Sequence, residues 1–313
     1  MTRAFVFPGQ GAQAIGMGKD LADTYPASKA VFDEVDDALG EKLSALIWDG
    51  DQQDLTLTQN AQPALMAMSL AVMRALEAEG VSIDAASMVA GHSLGEYSAL
   101  AAAGTFTVAD AARLLRARGL AMQEAVPVGV GAMAALLGLD FVAAQGVADE
   151  AAQGQVCQAA NDNDPGQVVV SGHTEAVERA VELAKDRGAK RAMLLPVSAP
   201  FHCQLMAPAA TVMKERLGDV DLAAPVVPVV SNVLAEDVQD PVRIRELLVQ
   251  QITGSVRWRE SVEHMARMGV TEIWEVGAGK ALSGMVRRID RSVGTRAISS
   301  PQDVVDAAAA MSE

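Results

Sequence analysis

Apolar residues recur along this chain in two rhythms. Short unbroken runs read as buried strands, and helical spacing reads as helices with one wet face. The first run, 4–7, predicts a buried strand that ends at Pro8-Gly9-Gln10-Gly11. Positions 20–46 follow helical spacing with acidic residues on the wet side. Pro63 is placed to open a helix over 64–79, and Gly80 to close it. Its methionines, Met66, Met68 and Met73, read as core filling. Strand character returns at 87–90, followed by helical spacing at 97–103 and again at 109–124.

After Pro127 the alternation changes. The runs predict a strand at 132–139, a helix at 141–151, strands at 156–160 and 167–171, a helix at 175–186 and a strand at 191–197. The polar stretch Asn161-Asp162-Asn163-Asp164-Pro165-Gly166 reads as a loop between the two middle strands. The order β-α-β-β-α-β is that of a ferredoxin-like unit with its own small sheet, inserted into a larger domain. Beyond it come helices at 205–217, 244–251 and 256–268, and strands at 225–231 and 271–276. A helix at 281–289 and a last strand at 296–299 complete the pattern, with no internal repeat or low-complexity linker.

Half of the 313 residues are hydrophobic and only 4% are aromatic, which favours helices packed around a buried sheet. A formal net charge of −15 argues against general affinity for nucleic acid or an anionic membrane. No apolar run nears the ~18 residues of a membrane span, and the N-terminal stretch turns at Pro8-Gly9 before a signal sequence would be complete. Cys157 and Cys203 form no Cys-x-x-Cys pair, and His92, His173, His202 and His264 show no metal-ligand spacing. The expectation is a cytoplasmic monomer with buried thiols.

Chemistry concentrates at Gly91-His92-Ser93-Leu94-Gly95. Strand, Gly-x-Ser-x-Gly, helix is the context of a nucleophile elbow, with the serine hydroxyl exposed at the strand tip and free N–H groups behind it. The same residues also fit a bland reading, since Ser93-Leu94-Gly95-Glu96 matches the Ser-x-x-Glu capping box that merely starts a helix. His92 adjoins the serine around a sharp turn and is a poor base; His202, after Pro200-Phe201 at a strand end, is a better one. Of the arginines at 113, 116 and 118, spacing from Leu114 and Leu115 puts Arg118 near the buried side, although arginines at such spacing usually form a solvated face. Gly277-Ala278-Gly279 lacks the third glycine of a dinucleotide motif, and Gly279-Lys280-Ala281 does not complete a phosphate loop; a tight strand-to-helix turn explains both.

Six motifs in order carry a resemblance over nearly the whole chain. They are Phe5-Val6-Phe7-Pro8-Gly9-Gln10-Gly11, Gly91-His92-Ser93-Leu94-Gly95-Glu96-Tyr97, Arg118-Gly119, Ala159-Ala160-Asn161 with Pro165-Gly166-Gln167-Val168-Val169, Ser198-Ala199-Pro200-Phe201-His202, and Gln251 ahead of Val256-Arg257-Trp258. With them the chain resembles the malonyl-CoA:acyl carrier protein transacylases and the related acyltransferase domains of fatty acid and polyketide synthases. The resemblance implies an α/β fold, with an α/β-hydrolase-like catalytic domain formed by 1–126 and 197–313 and a ferredoxin-like subdomain at 127–196. It implies Ser93 as the acylated nucleophile, His202 as its base and Arg118 as the partner of the malonyl carboxylate. It implies the Gln10 and Leu94 backbone N–H groups as the oxyanion hole, and the Gln251 carbonyl as the group that orients the histidine. The chain departs from the family at Ile252-Thr253-Gly254-Ser255, where an Asn-Pro pair is more usual.

The implied reaction moves a malonyl group from malonyl-CoA to the phosphopantetheine thiol of acyl carrier protein. It is an exchange of thioesters through a seryl ester, with coenzyme A thioester as substrate and no metal, redox cofactor or ATP. The setting is fatty acid synthesis, with a polyketide pathway as the alternative. The acidic carrier would dock on a local basic patch, for which Lys185, Arg187, Lys190 and Arg191 are the candidates. A serine esterase would instead need an acid between serine and histidine, and Asp162 and Asp164 fall in the insertion. A non-catalytic scaffold would have no use for the nucleophile, base and arginine together.

Overall fold

Residues 2–311 are described by the computed structural model. Its strands are β1 (Arg3–Phe7), β2 (Met88–Gly91), β3 (Gly131–Leu137), β4 (Cys157–Asp164), β5 (Gln167–His173), β6 (Arg191–Leu194), β7 (Val229–Val230), β8 (Asp237–Val238), β9 (Glu272–Val276) and β10 (Gly294–Ile298). Six of them form one sheet in the order β10-β9-β1-β2-β7-β8. All its pairings are parallel except that of β8 with β7. β1 lies at the centre and is apolar on both faces, as a parallel strand covered by helices must be. Phe5 and Phe7 enter the larger core with the helix Thr58–Ala78, while Ala4 and Val6 face a second core built on Trp258, Val262 and Val286.

The other four strands form an antiparallel sheet in the order β4-β5-β3-β6. The helices Phe141–Ala152 and Thr174–Asp186 cover one face and close a separate core around Leu136, Val147, Val168 and Val177. This is the ferredoxin-like arrangement expected from the strand and helix pattern. Its other face, through Met133, Ala160 and Val169, packs on Leu195, Val197 and Phe201, the segment that leads to His202.

Several expected boundaries move. The helical stretch 20–46 divides into Lys19–Thr24, Pro26–Leu39 and Leu43–Asp49. Pro26 restarts the helix at its first position, and Gly40 ends it at φ 67°. Pro63 does not open its helix but lies inside Thr58–Ala78, where it forfeits one helical hydrogen bond. The polar stretch expected to be a loop is mostly strand, because β4 continues through Asn161, Asp162, Asn163 and Asp164, all buried. The strand expected at 225–231 shrinks to Val229–Val230, and the helix expected at 256–268 starts at Trp258. Two helices, Gln52–Thr56 and Pro301–Ala309, were not expected. Among the described residues no helix is long and apolar enough to cross a membrane.

Candidate active site

β2 delivers Ser93 to a turn so tight that its flanking residues admit no side chain. A Cβ at Gly91 would stand 1.9 Å from the Gly95 carbonyl, and one at Gly95 would stand 2.2 Å from the Phe7 carbonyl oxygen. Ser93 itself takes the strained conformation φ 54°, ψ −110°, just before the helix Leu94–Ala102. Its side chain makes no capping bond, so the capping-box reading fails. The Ser93 hydroxyl oxygen lies instead 2.8 Å from His202 Nε2 and 3.1 Å from Arg118 Nη2. The Ser93 N–H donates to Asn232 Oδ1 at 2.7 Å, and Asn232 Nδ2 donates to the Gly91 carbonyl at 2.6 Å, which clamps the turn from the end of β7.

His202 is also held at positive φ, 59°, and is 4% exposed. Its Nδ1 lies 2.9 Å from the Gln251 carbonyl oxygen. A carbonyl only accepts, so Nδ1 carries the proton and Nε2 presents its lone pair to the serine hydroxyl. Burial, and after it the Arg118 charge, push His202 down to about 3, against a weaker opposing pull from the Gln251 carbonyl. The ring is therefore neutral across the physiological range.

Arg118 sits in the helix Val108–Glu124 and is 1% exposed. The reading of a solvated arginine fits Arg113, which is exposed beside Asp110, and fails for Arg118. Gly119 explains how Arg118 is brought in: a Cβ there would stand 2.5 Å from Gln59 Cα, so this helix and Thr58–Ala78 meet backbone to backbone. Arg118 Nη1 then donates to Gln62 Oε1 at 2.7 Å and Nη2 to Gln251 Oε1 at 2.8 Å, and the guanidinium lies 5.6 Å from the centre of the Tyr97 ring. Among the described residues no carboxylate forms an ion pair with it, and burial lowers its pKa.

Gln10 lies in the loop after β1, beside the turn, with its side-chain oxygen accepting from Thr58 Oγ1 at 3.0 Å. Leu94 opens the helix behind Ser93. Neither backbone N–H meets a protein acceptor among the described residues. His92 turns away from Ser93, packs on Trp258 and pairs with Asn163 at 2.9 Å. Asp162 and Asp164, the acids an esterase reading required, pair with Arg259 at 2.8 Å and Arg288 at 2.7 Å and do not approach His202. Cys157 and Cys203 are free and buried. At the Gly277-Ala278-Gly279 turn the helix N-terminus is already occupied: Glu275 accepts from the Leu282 and Ser283 N–H groups at 3.0 and 2.7 Å, where a nucleotide phosphate would otherwise lie.

Sequence reasoning missed Gln62, Glu96 and Asn232. Glu96 had a visible signal, a charge inside an otherwise apolar and small-residue helix. Asn232 had a weaker one, an amide just past a buried strand. Gln62 had none.

The fold and the hydroxyl–imidazole pair are those of a serine-type acyl-transfer protein, and known proteins narrow the class. Residues 4–291 match the family model described as acyl transferase domain, and the chain belongs to that family. It is 49% identical over 302 residues to the malonyl CoA-acyl carrier protein transacylase of Bacillus subtilis, covering 96% of this chain and 94% of that one. A crystal structure of acyl-carrier-protein-S-malonyltransferase from Bartonella henselae superposes with a TM-score of 0.98 at 52% identity, covering 100% of both chains. A malonyl-transacylase solved in complex with its holo type II PKS acyl-carrier protein superposes with a TM-score of 0.96 at 43% identity, covering 99% of this chain and 100% of that one.

Proposed function

We propose that this enzyme transfers a malonyl group from malonyl-CoA to the phosphopantetheine thiol of an acyl carrier protein, supplying extender units for fatty acid synthesis. The observation that carries the reading is Arg118: a buried cation that meets no carboxylate partner among the described residues, with one nitrogen 3.1 Å from the Ser93 hydroxyl. Such a group calls for an anionic acyl chain, and the relatives' names supply the same acyl group.

In the first half-reaction the Ser93 oxygen attacks the thioester carbonyl while His202 Nε2 takes its proton. Charge on the carbonyl oxygen collects at the Gln10 and Leu94 N–H groups, helped by the positive end of the helix Leu94–Ala102. The carbon–sulfur bond breaks, and the departing coenzyme A sulfur takes the proton back from His202. In the second half-reaction the carrier thiol gives its proton to His202 and attacks the seryl ester, and Ser93 leaves reprotonated. No net redox change or phosphate cleavage occurs, so the coenzyme A thioester enters as substrate and no further cofactor is required. The reaction is that of a cytoplasmic monomer. Mixing the protein with malonyl-CoA should add one malonyl mass, mapped by digestion to the peptide holding Ser93, and Ser93→Ala should abolish it. An adduct elsewhere, on Cys203 for instance, would refute the assignment.

The carrier docks near the mouth between the large domain and the inserted unit, on a local basic patch. Of the four cations expected there, Lys185 pairs with Glu182 at 2.7 Å and Arg187 with Glu150 at 2.5 Å, which weakens both as attractors. Lys190 and Arg191 are exposed and meet no carboxylate among the described residues, so the attraction to an acidic carrier falls to them. Reversing both charges should raise the KM for carrier protein several-fold and leave that for malonyl-CoA unchanged. Equal effects on the two substrates would place docking elsewhere.

A further inference from the structure

Glu96 is a carboxylate inside the site with no part in the steps above. It is 3% exposed, and its Oε2 accepts from Gln251 Nε2 at 2.7 Å and from the Asn232 N–H at 3.2 Å. Both donors continue to the reacting groups. The Gln251 amide oxygen accepts from Arg118, its Nε2 also donates to the Ser93 carbonyl at 3.0 Å, and its backbone carbonyl holds His202. The Asn232 side chain holds both sides of the serine turn. One carboxylate thus stands behind both supports.

Its charge matters as well as its hydrogen bonds. Arg118 donates to the neutral oxygens of Gln62, Gln251 and Ser93 and lies over the Tyr97 ring, and the carboxylate that shares this network with it is Glu96, one amide away. A direct ion pair would occupy the guanidinium fork. The amide spacer balances the buried cation while leaving Nη2 directed at the serine oxygen. It also fixes the amide: a flipped Gln251 would set N–H against N–H at Arg118 and oxygen against oxygen at Glu96. A malonyl group on Ser93 would bring a second anion into the same dry space.

We propose that Glu96 is a positioning residue that acts on Arg118 through the Gln251 amide, orienting that amide and limiting by its charge how tightly the guanidinium retains a carboxylated acyl group. The seryl ester is thereby kept near energetic balance with its thioesters, as a two-way exchange needs. The proposal rests on the reading that Arg118 receives the malonyl carboxylate. Burial pushes Glu96 up to about 7, against opposing pulls from Gln251, Asn232 and Arg118, so its charge changes near neutrality. The ionisable groups that face it are Arg118 from the helix Val108–Glu124 and Tyr97 from its own helix.

The test is the fraction of acyl-enzyme at equilibrium with acyl-CoA and free coenzyme A, read by intact mass. Glu96→Gln keeps an oxygen for Gln251 and removes the charge. It should shift the malonyl equilibrium toward the ester by on the order of 10-fold and leave the acetyl equilibrium in place. In the unaltered enzyme the malonyl-ester fraction, normalised to acetyl, should fall as pH rises through about 7, and in Glu96→Gln it should be flat. A shift away from the ester, equal shifts for both acyl groups, or no pH dependence in the unaltered enzyme would each overturn the proposal. The last of these needs no variant to fold. Arg118→Ala separates the premise: an unchanged malonyl-to-acetyl ratio there removes the reading of Arg118 itself, whereas a lost preference with Glu96→Gln inert removes only the role of Glu96.

Discussion

Replacing His202 with alanine is expected to slow acylation of Ser93 by roughly 10²–10⁴-fold, the usual contribution of a positioned general base. The imidazole lies at hydrogen-bond distance from the Ser93 hydroxyl in the tautomer a base needs, and its depressed pKa keeps it unprotonated. That depression also fixes the pH profile. With an acyl thioester that bears no carboxylate, acylation should stay flat from about pH 8 down to about 5, because protonation of His202 sets in only near its folded value. An inflection between 6 and 7 would mean an ordinary, solvated histidine. The linked effect on stability runs the other way. A histidine whose folded pKa lies below its unfolded value leaves the unfolded chain binding more protons, so folding stability falls as pH drops from about 6.5 toward about 3. Rates below about pH 5 must therefore be read beside a folding signal.

Arg118→Ala is expected to lower kcat/KM for malonyl-CoA by at least 10- to 150-fold, about 1.5–3 kcal/mol for a charge-assisted bond to a buried anion, and to leave acetyl-CoA unchanged or improved. Malonyl differs from acetyl by one carboxylate, and an anion enclosed in this pocket without a partner is strongly disfavoured. The planar fork can hold both carboxylate oxygens and so can fix the thioester carbonyl relative to Ser93. Arg118→Lys should restore only part of the loss, since a point charge lacks that fork and cannot reach Gln62 and Gln251 together. A malonyl-to-acetyl ratio that survives Arg118→Ala would move the selectivity to another group.

Much of this was legible in the sequence because the elbow is a local device. Gly91, Ser93 and Gly95 are constrained by contacts within a few residues and with the adjoining strand, so the spacing alone carries the geometry. The parallel sheet and the inserted unit were legible for a similar reason, since buried strands and amphipathic helices announce themselves by period. What the chain order concealed depends on distant partners. Asn161, Asp162, Asn163 and Asp164 read as a loop because four polar residues in a row seldom make a strand; they do so here because Val256, Arg259, His92 and Arg288 meet them from the large sheet's side. The Ser-x-x-Glu signature misled in the same way. Ser93 and Glu96 both turn from the helix end toward groups more than a hundred positions away in the chain. Pro63 misled because its helix is secured by tertiary packing on both sides, which outweighs the lost bond.

The group that orients His202 is a main-chain oxygen, and this has a consequence for inheritance. In a triad with an aspartate, a single codon change can delete the orienter. Here no replacement at position 251 erases the peptide carbonyl; it alters the amide that reaches Arg118, Glu96 and the Ser93 carbonyl. With the roles proposed above, drift at that codon is expected to change acyl preference more than proton transfer, which would let a lineage explore new substrates at this position without first passing through an inert ancestor.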